Sequence, residues 1–149
     1  MNQTTPANQS FEALSRICLN NWHYIRHRVL SFHEGVNFFT GHSGSGKSTV
    51  IDAMQIVLYA NTDGRGFFNK AAADDSDRSL IEYLRGMVNI GEDEKFSYLR
   101  SQNFSSTIVL ELKRTDTGEC QCVGVVFDVE TASNEISRMF FWHKGPLPA

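Results

Sequence analysis

The chain has 149 residues, 41% of them hydrophobic and 21% charged, with a formal net charge of −3. That composition suits one domain with a core of its own and excludes wholesale disorder. No apolar run approaches the length of a membrane span, and the charge balance neither demands nor excludes a nucleic-acid partner.

Residues 1–13 read as a flexible polar tail. Met1 to Ser10 has neither a basic start nor an apolar run, so no secretory signal is expected. Leu14 to Asn20, with Leu14, Ile17, Cys18 and Leu19, predicts a first strand, and Trp22 to Phe32 a second, hairpin-like element. Three arginines and three histidines fall between Arg16 and His33, with no acidic residue. They read either as a solvated strand face or as groups, His23 and Arg26 first, that approach a nucleotide base or a DNA backbone. Cys18, Cys120 and Cys122 show no metal-ligand spacing. Cys120 and Cys122 read as same-face strand residues, and reduced thiols suit the cytoplasm.

Glu34-Gly35 is a turn into Val36–Thr40, which reads as a buried strand. The segment after it is the most informative in the chain. Gly41, His42, Ser43, Gly44, Ser45, Gly46, Lys47 and Ser48 fit the G-x-x-x-x-G-K-[ST] pattern of a P-loop. A triphosphate needs several donors converging on a small volume, so the backbone itself must wrap it. Gly41, Gly44 and Gly46 permit the close approach that a Cβ would block. The loop N–H groups form an anion nest, and the next helix presents its positive end. Lys47 is positioned to reach the β/γ-phosphates, Ser48 to ligate Mg²⁺, and Thr49 adds a second hydroxyl. ATP and Mg²⁺ are therefore the expected ligands.

The helix is predicted from about Gly46 to Ala60, with Val50, Ile51, Met54, Val57 and Leu58 at helical spacing. It is apolar around most of its circumference, which predicts cover on several sides. Asp74, Asp75 and Asp77 suit the cap of a second helix, with metal ligation as the other reading. That helix spans Arg78 to Arg85, turns Leu80, Ile81, Tyr83 and Leu84 inward, and stops at Gly86. Met87 to Asn103 reads as polar and loop-rich. Ser106 to Lys113 and Gln121 to Val129 alternate as an antiparallel hairpin about the Asp116-Thr117-Gly118 turn, and Glu135 to Trp142 is a further strand. Asp128 ends an apolar run and is the only Walker B candidate. An Asp there would hold Mg²⁺ in a self-contained small P-loop NTPase or kinase. There is no Leu-Ser-Gly-Gly-like segment.

The run from Leu14 through Thr49 to Ala60, with Asn21-Trp22-His23-Tyr24 and Ser48–Ala53, resembles the start of an SMC/Rad50/MukB-type ATPase head. Phe68–Ala72 with Arg78–Gly86 resembles the MukB-like condensin ATPases, and most closely the SMC-like JetC family of Wadjet plasmid-defence systems. The resemblance implies an α/β P-loop NTPase. Its form would be an ABC/SMC-type head lobe over residues 14–143, with an antiparallel β subdomain packed on the P-loop strand–helix unit. It implies ATP binding at Gly41–Ser48, partnership with a C-terminal half-head and with the second head of a dimer, and action on DNA through the full complex. The signature motif and a matching Walker B are absent, so little or no turnover is expected from this lobe alone. Met139–Trp142 calls for covering structure that the chain does not supply. This marks residues 144–149 as a tail at a truncation point of an incomplete half-head. The alternative is a non-catalytic module that docks on an SMC head.

Overall fold

The computed structural model describes residues 10–35, 47–58, 76–90 and 95–148. Strands β1 (Glu12–Trp22) and β2 (Ile25–Ser31) form a hairpin, and helices α1 (Lys47–Leu58) and α2 (Ser76–Arg85) follow. Then come β3 (Met87–Ile90), β4 (Lys95–Tyr98), β5 (Phe104–Arg114), β6 (Cys120–Glu130) and β7 (Glu135–Lys144). Five strands make one antiparallel sheet in the order β2-β1-β5-β6-β7. β3 and β4 make a separate two-stranded ribbon, where the sequence predicts loop. Four-residue strands containing Asn89, Lys95 and Ser97 give too short and too polar an alternation to register as sheet.

Both helices contribute to one core with one face of the large sheet. Ile17, Leu19, Ile108, Leu110, Val125, Phe127 and Val129 meet Val50, Ala53, Ile56 and Val57 of α1 and Leu80, Ile81 and Leu84 of α2. The alternation expected in β5 and β6 is thus realised. α1 buries only a stripe, not its whole circumference: among the described residues Ile51 and Leu58 stay exposed. Val50, Ala53, Ile56 and Val57 are the buried side chains of the helix, and all four join the core on this face of the sheet. Gly86 stops α2 as predicted, at φ 69°, where its N–H donates to the Glu82 carbonyl at 3.2 Å.

β1 departs from a strict two-residue period. Between Leu14 and Arg16 its register against β5 shifts by one residue, a β-bulge at Ser15. The bulge lets Leu14 and Ile17, three apart, share the helix-covered face. It also turns Arg16 to the other face, opposite Glu111.

That other face carries a smaller cluster of Val109, Cys122 and Leu147, with Cys18 and Phe141 against it. Residues 145–148, which the sequence suggests are a tail, are therefore docked. The Leu147 N–H donates to Glu111 Oε2 at 2.7 Å, and Arg16 donates to the Leu147 carbonyl at 3.2 Å. Burial pushes the Cys18 and Cys122 thiols up, so both stay protonated core groups.

Gly124 makes this face possible. A Cβ there would stand 2.5 Å from both the Ile108 carbonyl oxygen and the Phe141 ring. Gly124→Ala is expected to cost about 1–3 kcal/mol by overpacking, read as a lower urea midpoint at unchanged slope. An unchanged midpoint would show that Phe141 moves away freely.

Candidate nucleotide-binding site

The P-loop enters the described structure at its last residues. Gly41, His42, Ser43, Gly44, Ser45 and Gly46 lie outside the described residues, as do the strand expected at 36–40 and Asp74 and Asp75. α1 opens at Lys47, with Ser48 exposed in its first turn and Thr49 half-buried. No carboxylate stands in that first turn. The positive end of the helix is therefore not neutralised from within its first turn. A helix start without a carboxylate of its own and an exposed serine hydroxyl are groups that fit a magnesium nucleotide. Bound there, it would bring phosphates to the backbone N–H groups and a metal ion to the Ser48 oxygen.

Trp22 holds this helix start in place. Asn21 and His23, on either side of it, take positive φ values of 49° and 51°, and Trp22 is fully buried between them. The indole N–H donates to the Thr49 carbonyl at 2.9 Å. The ring stacks on Phe127 at 6.4 Å and meets Tyr83 edge-on at 5.2 Å. Tyr83 in turn reaches α1. Its hydroxyl donates to Asp52 Oδ2 at 3.5 Å, and it also engages the Thr49 side chain. Burial pushes the Tyr83 phenol up, so it remains a neutral donor, and burial also raises the Asp52 carboxyl.

His23 belongs to the same brace. Its ring lies flat on Tyr83, with centroids 4.0 Å apart and planes 8° apart. Its Nδ1–H donates to the Tyr83 carbonyl at 2.9 Å. Burial lowers its pKa and favours the neutral ring. This corrects the reading of His23 as a group reaching for a base or a DNA backbone, since its ring is committed to α2. Arg26 is exposed on β2.

Arg100 has a role that sequence reasoning missed. Its guanidinium donates to three carbonyls: His23 at 2.6 Å, Leu84 at 2.5 Å and Ile25 at 3.1 Å. It thereby ties the β1–β2 turn to the end of α2, where helix carbonyls lack intrahelical partners. Nothing in the local pattern around Arg100 announces acceptors 75 and 77 residues away.

Asp128 does not fit the Walker B role. It lies on β6, which is antiparallel to both of its neighbours. Phe127 and Val129 point into the helix-covered core, so Asp128 projects from the opposite face. There it is exposed and accepts a hydrogen bond from Ser105 Oγ. That orientation turns it away from the α1 side of the sheet, where Ser48 sits. The groove beside it, about 750 Å³, is lined by Asp128, Glu130 and Glu135 and by no lysine or arginine, which does not suit an anionic ligand. Among the described residues no group of three or more His, Cys, Asp or Glu is placed to hold a metal ion. No helix among them is long and apolar enough to cross a membrane.

Residues 14–75 match the family described as the P-loop containing region of an AAA domain. The match runs from β1 through β2, the glycine-rich loop and α1, about two fifths of the chain. The chain thus carries a P-loop NTPase region, joined here to a largely antiparallel sheet. No curated protein matches the sequence.

Proposed function

We propose that this chain is the ATP-binding N-terminal lobe of an SMC/MukB-like, Wadjet-type ATPase head, acting on DNA as part of a larger assembly. One observation carries the nucleotide-binding part. The Gly41–Ser48 pattern runs directly into a helix whose first turn carries no carboxylate and is pinned by Trp22. The SMC-type part rests on the sequence likeness of Asn21–Tyr24, Phe68–Ala72 and Arg78–Gly86. It is supported by the placement of the β5–β6 hairpin in an antiparallel lobe. In this reading Gly41–Gly46 cradle phosphate, Lys47 supplies the cation and Ser48 holds Mg²⁺. Turnover awaits a signature motif and Walker B from elsewhere.

Calorimetry with Mg²⁺ and ATP on the full chain tests the reading. Binding is expected for the unaltered chain, and Lys47→Ala is expected to weaken it at least about tenfold, or ~1.4 kcal/mol. Hydrolysis in the same samples should stay at background. Equal binding by both proteins, or steady turnover by the chain alone, would overturn the proposal.

A further inference from the structure

β7 is an edge strand that is unusually rich in exposed apolar surface. Among the described residues only β6 pairs with it. Met139 is 62% exposed, Trp142 59% and Phe140 39%. A long apolar edge without proline is the kind of strand that natural proteins usually shorten, charge or cover. Trp142 is also held still, because its indole N–H donates to Gln121 Oε1 at 2.6 Å. A rigid, exposed tryptophan loses little entropy on being covered, which favours such residues as interface anchors.

The charges on the strand select an occupant. Glu135 opens β7, and His143 and Lys144 close it. A parallel copy would set like charge beside like. An antiparallel copy sets Glu135 of each chain beside the His143–Lys144 end of the other. Arg138 is the only formal charge between the ends. In a continuous sheet, residues paired across a two-fold axis must share a face, so a register centred on Met139 places Arg138 opposite Phe140, an aromatic partner for a cation. The sequence of the strand is therefore complementary to itself in one direction only.

We infer that β7 pairs antiparallel with β7 of a second copy of this chain, extending the sheet across a two-fold axis. The pairing uses the sheet edge and not the P-loop, so it forms without nucleotide. Its area is apolar at the centre and ionic at the ends, the ordinary anatomy of a protein interface.

Sedimentation of the full chain across a concentration series, without ATP, tests this. A reversible dimer is expected. Glu135→Lys should weaken it at least about fivefold, His143→Glu likewise, and the two together should restore it, because in the register centred on Met139 residue 135 of each copy faces residue 143 of the other. Met139→Cys should give a covalent dimer on oxidation, with the 139–139 link found by peptide mass mapping. A concentration-independent monomer would overturn the inference. So would a dimer that ignores both single charge changes, or one whose double variant is weaker than either single. A monomer that becomes a dimer only with ATP would likewise overturn it, while leaving the nucleotide-binding proposal intact.

Discussion

Replacing Trp22 by alanine is expected to lower stability by about 3–5 kcal/mol, the range for removing a large buried aromatic side chain. Trp22 is fully buried and touches three elements at once: α1 through Thr49, α2 through Tyr83 and β6 through Phe127. Alanine leaves a void where these three meet. Trp22→Phe is the informative comparison. It keeps most of the apolar contact and removes the N–H donor, so it should cost about 1–2 kcal/mol. Urea unfolding measures both. Fluorescence adds a local reading, since the only other tryptophan, Trp142, is exposed. Loss of the blue-shifted part of the emission should accompany Trp22→Phe as well as Trp22→Ala. If alanine costs less than about 1 kcal/mol, Trp22 is not the brace of α1.

The second large effect lies on the opposite face. Glu111 is buried and receives two hydrogen bonds from Arg16, at 3.0 and 2.6 Å, and a third from the Leu147 N–H. The Arg16 guanidinium, with the Leu147 and Ser15 hydrogen bonds, holds its carboxyl at about 2, against an ordinary 4.5. A carboxyl depressed on folding releases its proton more readily in the folded state. The stabilisation is therefore complete above about pH 4.5 and is lost as the pH falls towards 2, on the order of 2–3 kcal/mol in all. Glu111→Ala, which leaves Arg16 and the Leu147 amide without their acceptor, should cost about 3–5 kcal/mol at pH 7. Glu111→Gln should cost less and flatten the acid limb of the stability–pH curve relative to the unaltered chain. Hydrogen exchange at the Leu147 amide should accelerate in both variants. An acid limb identical in Glu111→Gln and the unaltered chain would mean that Glu111 is not depressed.

These two sites show what the sequence could and could not convey. The strands β1, β5, β6 and β7 are legible because alternation is a local property, visible in Ile108 and Leu110 or in Val125, Phe127 and Val129 without knowing their partners. The P-loop is legible for the same reason, since its chemistry is compressed into eight consecutive residues. Glu111 is not, because a carboxylate alternating with leucines reads as a solvent-facing residue. Only Arg16, brought opposite by the Ser15 bulge and 95 residues earlier in the chain, and the returning Leu147 show it to be interior. Trp22 and His23 stand out as an aromatic-basic segment, yet their role depends on Tyr83, 60 residues beyond His23. The brace of the candidate site is hidden while the glycine-rich pattern beside it is plain in the sequence.

The pairing of β1 with β5 also sets an order of events. It joins residues about a hundred positions apart, Glu12 with Arg114 at one end. Contacts of such sequence separation slow folding, because the intervening chain must be closed before they contribute. During synthesis the β1–β2 hairpin, the glycine loop and α1 all leave the ribosome before β5 exists. Until β5 arrives, the inner edge of β1 has no neighbour, and Trp22 has no Phe127 to rest on. The β1–β2 hairpin is made early and completed late, and the interval between the two is when the nascent chain is most exposed to mispairing.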